Sequence, residues 1–500
     1  MTEQEFLEHH KLVRNPFVDE DAQTDTVFRD FCIAGTFHPS WSKVVGDSKQ
    51  PATAIVFGAK GSGKTAMRLQ LINQIAKHNT DHAQQKVFLV CYDDFNAYLG
   101  PFQEHLPRRS RGNPDRVLGA LRLWDHMDAI LSEAVTQLVD RILQPQHAAT
   151  ASTAIGGINT SPLEVDRLDR GQRRDLMLLT SIYDHSKTSN VQDRFASLQR
   201  KLRFRSIATW YPLVFGVLAS ILAASILFYL VRSETLSLLT TLYWVPVALI
   251  ASWGWYWLRW FARHRLASKV RKSVRVLDRE TSQLRPMLLA FSPKEIEEQP
   301  VPTAQRSDDR YALLEKLQLI LRTLGYPGLI VIIDRVDEPD LVNGQAERMK
   351  QLVWPLMDNK LLKHENFGIK MLLPSELQPY ADRETREFHE RARLDKQNVV
   401  ASFDWTGEAL YDLLAARMKA CAIPGTNPSP KSFFGSDVSE TRLIGALQSL
   451  KTPRNAFRYL YQLIAEHCKR FRSEAPNFEI SSELFESSLA LYQSEDRRKS

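Results

Sequence analysis

Ala54-Ile55-Val56-Phe57, followed by Gly58-Ala59-Lys60-Gly61-Ser62-Gly63-Lys64-Thr65, is the stretch that sets the fold. A short apolar run ends on a glycine, and the next segment, Ala66 to His78, repeats its apolar residues at helical spacing. The eight residues fit Gly-x4-Gly-Lys-[Ser/Thr] between a strand and a helix, the setting that a phosphate-binding loop requires. The glycines let the backbone curl so that N–H groups converge on phosphate oxygens, and the following helix adds its positive dipole end. Lys64 is placed to reach β- and γ-phosphates, and the Thr65 hydroxyl to ligate Mg²⁺. Gly58, Ala59, Lys60, Gly61, Ser62, Gly63, Lys64 and Thr65 are therefore the expected nucleotide cradle.

Such a loop predicts a second buried strand that ends in an acid. Leu329-Ile330-Val331-Ile332-Ile333-Asp334 supplies it, uniformly apolar as in a parallel sheet covered on both faces. Asp334 is the metal candidate. Just beyond it, either Asp337 or Glu338 is expected to polarise an attacking water. Val87 to Tyr92 and Ile369 to Leu373 read as further strands, and the end of the second makes Ser375 or Glu376 a candidate γ-phosphate sensor. Arg391 and Arg393 lie in a mixed-charge run and are candidates for an arginine finger to a neighbouring subunit. From Trp405 onward the chain reads as helices, a helical lid in which Arg454, behind Pro453, is placed to reach the phosphates.

Between these two halves stand two charge-free runs, Thr209 to Val231 and Thr235 to Leu258. Each exceeds the roughly 20 residues that cross a hydrocarbon core as a helix. Only Arg232, Ser233 and Glu234 separate them, so the helices must run antiparallel as a hairpin. Arg194, Arg200, Lys201, Arg203 and Arg205 flank the pair on one side, and Arg259, Arg263, Arg265, Lys269, Arg271, Lys272 and Arg275 on the other. The positive-inside bias places both flanks, and with them both termini, in the cytoplasm. Trp210, Tyr211, Trp257 and Trp260 fall at the expected interface. No acidic or basic residue lies inside either run, which argues for an anchor over an ion pathway. Gly216, Ala219, Ala223 and Ala224 offer a close-packing face, for the partner helix or for oligomers.

The 500 residues, 44% hydrophobic and 25% charged, exclude wholesale disorder. Four scattered cysteines argue against a zinc site or a disulfide framework. The polar, acidic stretch from Met1 to Leu12 is not expected to act as a cleaved signal peptide. The net charge of +7 suggests nucleic acid, but much of the excess lies beside the apolar runs, where anionic lipid is the favoured ligand.

Together GAKGSGKT, IIDRVDE and a helical lid with Pro453-Arg454 resemble the AAA+ and STAND branches of the P-loop NTPases. Asp-x-x-Asp-Glu is similar to the NACHT pattern, whose second position is usually Gly where this chain has Arg335. Transmembrane helices between the two nucleotide motifs resemble the KAP NTPases, although Glu338 departs from their usual Asp-Asp-Leu-Asp-Arg. The resemblance implies an α/β fold: a P-loop NTPase of ASCE/STAND type, with a parallel sheet covered by helices on both faces, an inserted two-helix hairpin and a C-terminal helical lid. It implies Lys64 and Thr65 at the phosphates, Asp334 on Mg²⁺ and Arg454 as sensor, with ATP bound. No LSGGQ-like or NKxD motif occurs, which sets aside ABC cassettes and GTPases. The expected plan is a lead-in at 1–50, whose Asn15-Pro16-Phe17 is favoured to pack the domain edge over contacting adenine, the first NTPase part at 51–95, a helical insertion at 96–205 with a long amphipathic helix from Val117 to Leu143 and a linker at 144–162, the hairpin at 206–261, a basic stalk helix at 262–300, the second NTPase part at 301–404 and the lid at 405–500. The resemblance implies a homo-oligomer and an ATP-driven switch that assembles a protein partner at a bacterial inner membrane, in such proteins often for phage exclusion. The rival readings are a non-hydrolysing scaffold and an effector that perturbs the bilayer once oligomerised.

Overall fold

The computed structural model describes residues 1–47, 50–143, 163–186, 190–204, 211–233, 238–396 and 398–499. The chain divides into two compact units. One comprises Met1–Asp93 and Gly328–Ser500, with Ala149–Asn159 outside the described residues; the other comprises Asp94–Ala148 and Thr160–Pro327. The linker expected at 144–162 also lies outside the described residues.

The first unit is α/β. Five parallel strands, β1 (Ala54–Gly58), β2 (Val87–Tyr92), β3 (Gly328–Ile333), β4 (Phe367–Pro374) and β5 (Val399–Val400), line up in the order β2-β3-β4-β1-β5. Their apolar runs do not alternate with polar residues because both faces are covered. Ala54, Val56, Leu89, Ile330, Ile332 and Leu372 bury one face against Met67, Leu71, Ile72 and Ile75 of helix α1 (Lys64–Asp81). Ile55, Phe57, Val331, Ile333, Met371 and Leu373 are buried on the other. The order puts β4 between β1 and β3, so Gly58, Pro374 and the residue after Ile333 end side by side. Ligands of open parallel sheets settle outside these carboxyl ends.

The second unit is helical. Its largest helices are Leu123–Leu143, Arg170–Tyr183, α2 (Tyr211–Arg232), α3 (Leu238–Ser273) and Asp308–Thr323. The helix expected from Val117 starts instead at Leu123. Gly119 breaks the approach, and the Asp125 carboxylate takes the Arg122 backbone N–H. The core is tied by buried ion pairs: Arg310 to Asp128 at 2.9 Å, with the Tyr183 hydroxyl also donating to Asp128, and Arg275 to Asp125 at 2.6 Å. Arg310 and Lys316, which pairs with Asp175, fix Asp308–Thr323 in this unit. Residues 301–327 therefore do not join the sheet as the sequence plan had it.

Among the described residues one helix is long and apolar enough to cross a membrane, the segment Leu213–Leu230 of α2. The second run lies in α3, where 235–237 and several side chains fall outside what is described. Along α2, Gly216, Ala219, Ser220, Ala223 and Leu227 are buried or half-buried, whereas Leu218, Leu222, Phe228 and Tyr229 stand open. Trp253 of α3 explains that face: its ring lies 3.2 Å from where a Gly216 Cβ would be, and its Nε1 donates to Ser220 Oγ at 3.2 Å. Ala224 points away. The stalk is shorter than expected. Helix α3 ends at Ser273, where Val274, Val276 and Leu277 turn into the core, and Pro286 lies inside a separate helix, Thr281–Leu289.

Back in the first unit, four helices follow the sheet: α4 (Gly407–Ala420), α5 (Glu440–Leu450), α6 (Pro453–Arg470) and α7 (Ser482–Lys499). Phe6, Leu12, Phe17 and Phe28 of the lead-in bury themselves among Leu414, Phe457, Leu460 and Phe485. Arg417 locks this arrangement, pairing with Asp25, donating to the Pro16 carbonyl at 2.8 Å and lying over the Phe457 ring. Asn15-Pro16-Phe17 thus packs, as the sequence favoured.

Candidate functional site

The loop after β1 has the geometry its glycines require. Gly61 and Gly63 sit at φ +83° and +95°, a region that L side chains rarely enter. A Cβ on Gly58 would stand 2.6 Å from Ser62 Oγ. Gly63 caps α1, which starts at Lys64. Lys64 Nζ folds back on the loop, donating to the carbonyls of Gly58 at 2.6 Å and Ala59 at 3.1 Å. Burial holds its pKa below the ordinary lysine value, against the pull of Asp334, Asp337 and Glu376.

A cavity of about 360 Å³ opens over the loop, within the range of small-molecule sites. Lys60, Gly61, Gly63, Lys64 and Thr65 line it from the loop and α1; Asp334, Arg335, Asp337, Glu338 and Glu376 from beyond β3 and β4; Arg454 from the start of α6 and Trp405 from the segment before α4. The candidates Lys64, Asp334, Asp337, Glu338 and Arg454 are thereby brought together with Thr65, with Lys60, Gly61 and Gly63 of the expected cradle, and with Glu376. Ser375 is not among the lining residues, and neither Arg391 nor Arg393 reaches the cavity.

Asp334 is 2% exposed. Burial raises its pKa, opposed by Arg68, by the Arg335 backbone N–H and by Lys64. One of its oxygens, Oδ2, accepts no hydrogen bond. A buried carboxylate with an open lone pair, beside a threonine at the head of α1, suits a hard cation held partly by substrate phosphates. The residues therefore fit Mg²⁺.

The two acids beyond Asp334 are not equivalent. Asp337 is among the charges that act on Lys64, and its carbonyl accepts from Gly344 N–H at 3.0 Å, which steadies the loop. The Glu338 side chain is 59% exposed and lies 3.6 Å from Arg335 Nη1. Arg335 has φ +60°, in the left-handed region that ordinarily favours glycine.

Arg454 arrives through the start of α6. Its backbone N–H donates to Gly61 O at 3.4 Å, and its Nε has no hydrogen-bond partner, with Glu20 the nearest acid at 3.8 Å. Trp405 Nε1 donates to Ser62 O at 2.8 Å. His38, stacked on Phe403, accepts from Ser40 N–H and donates to Asp404 O, and burial holds it neutral with a pKa of about 4.

Three participants were missed in the sequence. Arg68 is buried on α1, pairs with Asp93 at the end of β2, and sets its Nε 3.5 Å from Asp334 Oδ2. Its signal was a lone arginine one turn after Lys64, on the face that otherwise buries Met67, Leu71 and Ile75. Trp405 and Arg417 carried no local signal, since their roles depend on contacts across hundreds of residues. Comparison with protein-family models, with curated proteins and with solved structures found no match to this chain.

Proposed function

We propose that the chain is a membrane-anchored P-loop ATPase of KAP-like type, acting as a nucleotide-dependent switch that assembles complexes at the cytoplasmic face of a membrane. The observation that carries the reading is one cavity in which a glycine loop with Lys64 and Thr65 faces a buried, half-satisfied Asp334 and an arginine from a separate helical layer. ATP binding would draw Lys64 from the Gly58 and Ala59 carbonyls to the β- and γ-phosphates. Asp334 and the Thr65 hydroxyl would hold Mg²⁺, which when bound neutralises charge on the phosphate oxygens. Asp337, whose charge acts on Lys64, is a better-placed base for the attacking water than the outward Glu338. Arg454 and Trp405 both touch the loop, so phosphate contact is coupled to the helices α4–α7, and this is the switch element.

The anchor in this reading is the antiparallel pair α2 and α3. Leu218, Leu222, Ile226 and Phe228 are open in α2, as are Ile250, Trp257 and Leu258 in α3. So much open apolar surface on one hairpin is what a bilayer would cover.

The test is ATP hydrolysis by the detergent-purified full chain, beside Lys64→Ala, Asp337→Asn and Glu338→Gln. Lys64→Ala and Asp337→Asn are expected to lose about 100-fold or more in turnover, and Glu338→Gln only a few-fold. An inactive Glu338→Gln beside an active Asp337→Asn would move the base assignment. A wild-type chain that fails to bind ATP would overturn the reading.

A further inference from the structure

The second unit uses most of its arginines internally. Arg259 and Arg263 donate to the carbonyls of Leu289 and Phe291, Arg279 to those of Ser181 and Asp184, and Arg275 and Arg310 pair with Asp125 and Asp128. Another set is left over. Arg108, Arg109 and Arg116, with Arg265, Lys269, Arg271 and Lys272 on the last turns of α3, are exposed, and their side-chain cations show no hydrogen-bond or ion-pair partner among the described residues.

Arg275 draws the two groups together. Its guanidinium lies 4.8 Å over the Phe102 ring and reaches the Ala120 carbonyl at 3.4 Å, so it touches both flanks of the arginine segment three residues after Lys272. Residues 108–122 hold five arginines against one aspartate, and 265–272 hold four cations and no acid. Each group is net +4, so together they exceed the +7 of the whole chain. Like charges gathered in this way repel one another and contribute nothing to the core.

We propose that this end of the helical unit docks the phosphate backbone of double-stranded nucleic acid. Lipid headgroups are the rival, and two observations disfavour them. The first rests on the membrane reading above. At about 1.5 Å per residue, Arg265 and Lys272 stand roughly 10 and 20 Å beyond Leu258, where the apolar run ends. The headgroup layer is about 5–8 Å thick and charge is screened within about 8 Å at physiological salt, so Arg271, Lys272 and the arginine segment beside Arg275 lie past its reach. The second is composition. No large apolar side chain is exposed between residues 94 and 143 among those described, so nothing there inserts among acyl chains or stacks on unpaired bases. Guanidinium and ammonium groups alone suit a duplex backbone, bound without sequence preference.

The experiment is fluorescence anisotropy of a labelled duplex of about 25 base pairs with the detergent-solubilised full chain, from about 50 to 300 mM NaCl. Two variants are compared with wild type: Arg108→Gln/Arg109→Gln/Arg116→Gln and Lys269→Gln/Lys272→Gln. Wild type is expected to bind, each variant to bind about tenfold more weakly at the lowest salt, and the slope of log affinity against log salt to flatten by roughly 2 to 3. These side chains are outside the nucleotide cavity, so ATP binding and melting temperature should match wild type. Wild type without duplex binding, or variants that bind the duplex as tightly, would overturn the proposal. So would variants that lose retention on phosphatidylserine vesicles while duplex binding is unmoved, since the surface would then serve lipid. A wild type that binds duplex but no ATP would remove the nucleotide reading and leave this one standing.

Discussion

A methyl group on Gly61 would stand 2.7 Å from the Cβ of Arg454, on a residue already at φ +83°. Gly61→Ala therefore meets two obstacles: a left-handed backbone that costs an L-residue about 1–2 kcal/mol, and a collision with α6. The expected result is at least a tenfold loss of ATP affinity with the overall fold retained, read by a fluorescent nucleotide analogue and by thermal melting. Wild-type affinity in Gly61→Ala would show that the loop and α6 are not coupled. The positions of Lys64, Asp334, Asp337 and Glu338 around one cavity were legible one residue at a time, because a glycine-rich loop after a strand and an acid after a buried strand are local patterns. The ranking of the two acids was not. It depends on the direction in which the left-handed Arg335 turns the chain, which leaves Glu338 in solvent.

Among the elements, the helices of the second unit are held by charges that no apolar pattern predicts. The side chains of Arg310 and Asp128 are both 0% exposed, and the Asp128 carboxyl is pushed up to about 6 by burial despite Arg310 and Tyr183. Arg310→Met strands that carboxylate and is expected to cost about 3–5 kcal/mol. Arg310→Met with Asp128→Leu removes both charges and should recover much of the loss, measured by denaturant unfolding of the detergent-solubilised chain. Equal destabilisation by the single and the double change would show that the pair is not the constraint. The lead-in and the C-terminal helices carry a pH dependence of their own. Burial holds His10 and His38 at about 4, below the ordinary 6.5. Between those values the unfolded chain takes up protons that the folded chain refuses, so stability is full above about 6.5 and declines as pH falls toward 4. Melting temperature plotted against pH should flatten in part over that window in His38→Gln, since His10 remains, and further when His10→Gln is added; an unchanged slope in the double variant would assign the dependence to other groups. Strand positions and the helices from Gly407, Glu440 and Pro453 were readable from periodicity. The two-residue β5 was not, because so short a strand has no period, and α7 was passed over although Leu484, Phe485, Leu489 and Tyr492 recur at helical spacing within Ser482–Lys499.

For the whole molecule, the hairpin reading makes a directional prediction. If both α2 and α3 cross the bilayer, Ser233 lies on the face opposite to both termini. A Ser233→Cys variant in intact cells or sealed vesicles should react with an impermeant maleimide from outside, while protease added there leaves the rest of the chain uncut. Labelling only after lysis, with both runs protected, would mean that the hairpin does not span. The sequence by itself determined the parallel α/β sheet, the glycine-rich loop after β1, the acid after β3 and a long apolar helix, because each is written in a continuous run whose period or composition has one physical reading. Only the tertiary structure decided that residues 301–327 belong with the helical unit, that α3 stops at Ser273, which arginines are consumed and which stay in solvent, that Arg68 meets Asp334, and that Trp405 bonds the glycine loop. Those outcomes depend on which buried charge finds which partner, and a carboxylate 150 or 182 positions away in the chain, as for Arg275 and Arg310, leaves no local trace.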